Sequence, residues 1–139
     1  MFISFDFVYW NGGDIAEINQ LIDLYVDHPA QMMYNGGALI STFVGDDFDW
    51  APVKAAARGK VTAIPNQQDP WGSLYRTTNF DGVFSWYAWP TTGGNAPTKE
   101  RMTTRWDDIF LRNLRGGGNK GGSVYMARKL YRRVLWQAT

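Results

Sequence analysis

The 139 residues are enough for one domain with a real core and too few for two ordinary ones. An apolar share of 45% with 19% charge excludes a disordered chain, and the absence of cysteine excludes a disulfide framework, a thiolate nucleophile and any cysteine-built metal site. The net charge of +1 is unevenly spread, with 4 Lys+Arg against 10 Asp+Glu in residues 1–95 and 10 against 3 in residues 96–139. A basic tail can meet nucleic acid, but this one lacks a recognisable motif, and a solvated helix with a frayed end is the plainer reading. The single histidine, His28, argues against a histidine-rich metal site and a Ser-His-Asp triad, and its place before Pro29 favours a capping role. No apolar run approaches the roughly 18 to 20 residues of a membrane span. The N-terminus lacks the basic and apolar regions of a signal peptide. Neither nucleic acid nor membrane is therefore expected as a partner.

Phe2 to Trp10 reads as the first strand. Alternation puts Ile3, Phe5 and Phe7 on one face and Ser4 and Asp6 on the other, so that one carboxylate stands near the strand's C-terminal end. Asn11-Gly12-Gly13 signals a turn, and Asp14 sits where a helix N-cap should be, with Glu17 three residues on. Ile15, Ile18, Leu21, Ile22 and Tyr25 form a helical stripe, which should stop by His28 because Pro29 disfavours a helical residue before it. After the Asn35-Gly36-Gly37 turn, residues 38–44 read as a second strand, almost wholly apolar as buried parallel strands are. That strand empties into a loop dense in carboxylates, Asp46, Asp47 and Asp49. A short helix follows from about Trp50 to Arg58, then a third strand over residues 61–65 and the polar run Asn66-Gln67-Gln68. Residues 83–89 read as a fourth strand, stopped by Pro90. A helix from about Thr98 to Leu114 carries Met102, Trp106, Ile109, Phe110 and Leu114 on one stripe, and residues 123–127 begin a fifth strand.

Strand, connection, strand, repeated, predicts an α/β fold with a parallel sheet. An open doubly wound sheet binding a nucleotide should show a glycine-rich fingerprint after its first strand, and Gly12-Gly13 does not supply one. The alternative is part of a barrel, in which the active-site face lies at the C-terminal ends of the strands.

Read together, several blocks resemble the fungal α-1,3-glucanases, or mutanases, of glycoside hydrolase family 71. They are Phe2-Ile3-Ser4-Phe5-Asp6; His28-Pro29-Ala30-Gln31 with Tyr34 and Gly36; Ile40-Ser41-Thr42-Phe43 with Gly45; Trp50 with Val53-Lys54; Pro65-Asn66; and Asp81-Gly82-Val83-Phe84-Ser85-Trp86 with Ala88-Trp89-Pro90. The resemblance implies a portion of a (β/α)8 TIM-type barrel, about five of its eight strands, over residues 1–127, with a divergent basic tail over 128–139. It implies inverting hydrolysis of α-1,3-glucan by a carboxylate pair, without metal or organic cofactor, in an extracellular or cell-wall setting. Asp6 matches the aspartate of the family's Ser-Phe-Asp motif and becomes the candidate catalytic carboxylate. Trp10, Asp46, Trp86 and Trp89 become candidate substrate contacts, the rings as stacking surfaces for sugars, with Trp50 and Trp71 considered beside them. The family's main catalytic candidates lie in a Trp-Asn-Asp-Tyr-Gly-Glu-Ser type motif that does not occur in these 139 residues. The chain by itself is accordingly expected to be a truncated, inactive form, the alternative being a non-catalytic glucan-binding remnant. Unpaired edges of an incomplete barrel would invite self-association.

Overall fold

A computed structural model of the chain describes residues 1–45, 47–68, 77–85, 104–116 and 124–125. In chain order the elements are β1 (Ile3–Asp6), α1 (Ile15–Tyr25), β2 (Met33–Tyr34), β3 (Gly37–Phe43), α2 (Ala51–Ala56), β4 (Val61–Ile64), β5 (Gly82–Val83), α3 (Arg105–Gly116) and β6 (Val124–Tyr125). β3 is the centre of the sheet. It pairs in parallel with β1, Ile3 opposite Ile40 and Asp6 opposite Phe43, and in parallel with β4, Ala38 opposite Val61 and Ser41 opposite Ile64. β5 and β6 form a second parallel pair, and a parallel bridge between Asn66 and Phe84 carries the pairing from the end of β4 to the end of β5.

The sheet is mixed, because β2 runs antiparallel to the start of β3. The cause is the Asn35-Gly36 turn. Both residues have positive φ, 49° and 82°, which is the backbone of a type I′ turn and closes a two-residue hairpin. Gly37 then lets β3 approach β4 more closely than a side chain would allow: a Cβ there would lie 2.7 Å from the Val61 carbonyl carbon and 2.8 Å from the Thr62 nitrogen.

α1 and α2 cover the same face of the sheet. Ile18, Ile22 and Val26 from the first, with Val53 and Ala57 from the second, pack with Phe5, Ala38, Ile40, Val61 and Ala63 in one buried cluster. Ile18 and Ile22 are essentially without exposure, and burial of each contributes about 1.5–3 kcal/mol. Phe110 of α3 joins the same cluster. Tyr25, read as part of the α1 stripe, is instead 41% exposed, since the helix ends there and Val26 closes the stripe in its place. Pro29 acts as expected: the His28 ring accepts the Ala30 N–H at Nδ1 (3.1 Å), and the His28 carbonyl accepts the Gln31 N–H (2.8 Å).

The opposite face is also buried at its centre, where Leu39, Ser41, Thr62 and Ile64 are each no more than 5% exposed. Leu39 and Ile64 form a small cluster there with Met32, Tyr34 and Phe84, and alternation places Ser4, Asp6, Ser41 and Thr62 on that same face.

Candidate functional site

The parallel strands send their C-terminal ends to one edge, where β1 delivers Asp6, β3 delivers Phe43, and β4 runs on into Asn66 and Gln67. Asp6 is half-buried. Its carboxylate oxygen Oδ1 accepts the Val8 N–H at 3.0 Å, and its carbonyl accepts the N–H groups of Tyr9 (2.9 Å) and Trp10 (3.2 Å). The residue thus builds the turn that ends its own strand, an arrangement for which a short carboxylate side chain is suited. Oδ2 takes no hydrogen bond among the described residues. One oxygen is held and the other is available, which is what a carboxylate needs in order to meet a hydroxyl or a water in a fixed direction.

Trp10 is half-buried and set edge-on to Phe5, with ring centroids 5.6 Å apart at 74°. The ring that stands free at this strand end is its neighbour Tyr9, 81% exposed. Asp46, Trp71, Trp86 and Trp89 lie outside the described residues, as do residues 128–139. Trp50, considered a sugar-stacking ring, has no exposure at all. It packs against Phe48 (4.9 Å, 70°), which packs in turn on Phe7 (4.9 Å, 76°), so these rings fasten the β3–α2 loop to the end of β1. The Trp50 indole N–H is buried without a partner among the described residues.

The loop after β3 departs from ordinary backbone space at Val44 (φ 58°), Gly45 (φ 128°) and Asp47 (φ 70°). Val44 is the costly one, since a β-branched residue in the left-handed region stores about 1–3 kcal/mol. The segment 77–80 holds the loop in place. Thr78 and Asp49 form a parallel bridge, Trp50 N–H reaches the Thr78 carbonyl (3.1 Å), and Thr78 N–H reaches the Phe48 carbonyl (3.1 Å). Asp49 Oδ1 accepts from Ala51 N–H (3.0 Å) and from the Asn79 amide (2.7 Å). Those bonds, the Ala51 N–H first, hold its carboxyl below the usual aspartate value of 3.8. Asp49 is therefore a structural carboxylate rather than a solvated loop charge.

Beneath this edge lies a group of buried polar side chains that sequence reading passed over as a polar loop. Asn66, Gln67 and Thr77 have no exposure. Asn66 donates its backbone N–H to Thr42 Oγ1 (3.0 Å) and its side-chain amide to the Phe84 carbonyl (3.3 Å), while its Oδ1 is buried without a partner among the described residues. Gln67 N–H reaches the same carbonyl (3.0 Å), and its Nε2 donates to Thr77 Oγ1 (3.0 Å). The signal that could have found them is the position of Asn-Gln directly after an apolar strand, where a buried parallel strand must end in groups able to satisfy its neighbours' backbones. Among the described residues, no group of three or more His, Cys, Asp or Glu side chains could hold a metal ion.

Comparison with known proteins converges on one family. The profile of glycosyl hydrolase family 71 matches residues 1–129. The chain is 49% identical over 126 residues to mutanase Pc12g07500 of Penicillium rubens, covering 90% of this chain and 27% of that protein. It is 29% identical over 140 residues to the glucan endo-1,3-alpha-glucosidase agn1 of Schizosaccharomyces pombe, covering 91% of this chain and 30% of that protein. The chain thus spans between a quarter and a third of the length of these two relatives. No solved structure matches it. On a match that runs from its first residue to Lys129, the chain belongs to glycosyl hydrolase family 71.

Proposed function

We propose that these residues form one side of the substrate cleft of an α-1,3-glucan hydrolase, with Asp6 as one member of the carboxylate set that works on the glycosidic bond. The observation that carries the proposal is Asp6 itself: a strand-end carboxylate with Oδ1 fixed by the Val8 N–H and Oδ2 unengaged. Inverting hydrolysis requires an acid that protonates the leaving oxygen and a base that activates water, the two carboxyl groups being roughly 6.5–9.5 Å apart. Held by one backbone N–H, Asp6 is suited to orienting water or a sugar hydroxyl through Oδ2. A partner is not assigned among the described residues, where Asp49 is already engaged by Ala51 and Asn79.

A (β/α)8 setting for this edge is supported by two features. β1, β3, β4, β5 and β6 run parallel in consecutive order without the reversal of a doubly wound sheet, and the helices between the first of them cover a single face. A polymeric α-1,3-glucan as substrate would place the protein's work outside the cell or at the cell wall.

The test is to incubate the purified chain with insoluble α-1,3-glucan, then measure both co-sedimentation and released reducing ends. The chain is expected to sediment with the glucan and to release no reducing sugar above a blank. Asp6→Asn is expected to weaken binding about tenfold, the scale of a lost charge-assisted hydrogen bond. Failure of the wild-type chain to sediment would overturn the proposal. Hydrolysis abolished by Asp6→Asn would mean that a second working carboxylate lies within these 139 residues, and Asp46 would be the first to substitute.

A further inference from the structure

The turn after β1 is tied down everywhere except at one ring. The Asp6 carbonyl accepts the N–H groups of Tyr9 (2.9 Å) and Trp10 (3.2 Å), and Asp6 Oδ1 accepts the Val8 N–H (3.0 Å), so residues 8, 9 and 10 are each bonded to Asp6. The aromatic residues flanking the turn are packed, Phe7 edge-on to Phe48 and Trp10 edge-on to Phe5. Just beyond, the Asn11 N–H reaches Asp14 Oδ2 (2.8 Å) and the Asp14 N–H reaches the Asn11 carbonyl (3.0 Å). Tyr9 is the exception: it is 81% exposed, and its side chain makes no hydrogen bond or ring contact among the described residues. A lone exposed ring is ordinary on a protein surface. This one differs because its backbone is held by the residue that carries the carboxylate. The closed turn keeps the Cα atoms of Asp6 and Tyr9 within about 7 Å of each other. Across the sheet, Phe43 is the register partner of Asp6, shares its face and is 40% exposed. Asp6 thus has solvent-facing aromatic residues as neighbours both along the chain and across the sheet.

We propose that Tyr9 is a sugar platform, whose ring lies against the C–H face of a glucose unit of an α-1,3-linked chain while Asp6 Oδ2 meets a hydroxyl of that chain. The assignment rests on the functional reading above. A glucose ring presents C–H bonds on its faces and hydroxyls at its rim; the electron-rich face of a tyrosine complements the first, and a carboxylate the second. Tyrosine supplies that surface with only two side-chain torsions to fix, and the bonds to Asp6 have already fixed its backbone. Trp10, half-buried and edge-on to Phe5, anchors the turn that presents the ring.

The experiment measures binding of a soluble α-1,3-linked glucose oligosaccharide to the full chain by calorimetry, for wild type, Tyr9→Ala, Tyr9→Phe and Asp6→Asn. Tyr9→Ala is expected to bind about three- to tenfold more weakly, the scale of one aromatic contact, and Tyr9→Phe to stay within about twofold of wild type. The Tm of Tyr9→Ala should stay within about 2 °C of wild type, since an exposed side chain holds little of the fold. In proton NMR, the upfield displacement of the sugar C–H resonances on binding should be kept in Tyr9→Phe and shrink in Tyr9→Ala, which a merely structural role would not produce. Tyr9→Ala binding as tightly as wild type while Asp6→Asn binds more weakly would overturn the platform and leave the functional reading standing. Tyr9→Phe as weak as Tyr9→Ala would also overturn it, by giving the contact to the hydroxyl, as would an unchanged sugar displacement in Tyr9→Ala. Absence of any binding by the wild type would instead refute the functional reading on which the proposal stands.

Discussion

Asp81 shows how a carboxylate can serve in place of a strand. Its backbone N–H reaches the Ala63 carbonyl at 2.9 Å, while its Oδ2 accepts the Ala63 N–H at 2.8 Å, so the side chain closes a pairing that the short β5 does not reach. Its Oδ1 meets the Lys54 ammonium, which also donates to the Asn79 carbonyl at 3.2 Å. Replacing Asp81 by Ala leaves the N–H of the fully buried Ala63 without an acceptor, which costs about 1–3 kcal/mol. The ion pair adds little, about 0–1 kcal/mol, because the Lys54 and Asp81 side chains are 27% and 35% exposed and water screens them. The sum is about 1–4 kcal/mol, a fall in Tm of roughly 3–16 °C for a chain of this size. Asp81→Asn keeps an oxygen for Ala63 and should cost no more than about 1 kcal/mol, as should Lys54→Met. Thermal unfolding followed by near-ultraviolet circular dichroism gives the order. Lys54→Met as damaging as Asp81→Ala would show that the charge, not the backbone bond, holds β4 to β5. A Tm for Asp81→Ala within about 2 °C of wild type would show that nothing essential is held there.

Two further predictions concern the backbone and the acid limb. Gly37→Ala places a Cβ against the β4 backbone, which cannot yield as a side chain would. It should lower the urea midpoint by the equivalent of about 1–3 kcal/mol. Gly36→Ala, with open space but a φ of +82°, should cost about 1 kcal/mol, and equal losses would refute the close-approach argument. Asp49 has a folded-state pKa held below 3.8, so its contribution to stability is present above that value and is lost as pH falls through the lower folded value. The urea midpoint of wild type should therefore fall more steeply than that of Asp49→Asn between about pH 4 and pH 2, and parallel curves would remove Asp49 from the account.

Local periodicity made the first half of the fold legible. The α1 stripe, the apolar run of β3 and the alternation of β1 all follow from side chains that must leave water on one face, and the burial of Ile18, Ile22, Ile40 and Phe5 follows that logic. What could not be read was anything set by partners distant in sequence. The Asn35-Gly36 turn was visible, but whether it closed a hairpin depended on Met33 finding Ala38. Trp50 and Trp10 look alike as aromatic residues near strand ends, yet the first is sealed between Phe48 and Phe7, and only packing tells them apart. Asp49 looked like one more charge in an acidic loop until Asn79, thirty residues on, was brought to it. Asp6 was singled out by alternation alone, whereas Thr77 offered no local cue, because a buried threonine that accepts the Gln67 amide is written like any other.

The consecutive order of the parallel strands has a consequence for how such a surface changes over generations. Each strand-to-helix unit hands a short segment to the common edge and then returns to the far side, so residues that meet there are separated by whole units of sequence: Asp6 by 37 positions from Phe43, and Phe43 by 23 from Asn66. An insertion in one returning loop lengthens that loop without moving the strand end next to it. The edge can therefore be revised one segment at a time, the loop after β3 changing while Asp6 keeps its place.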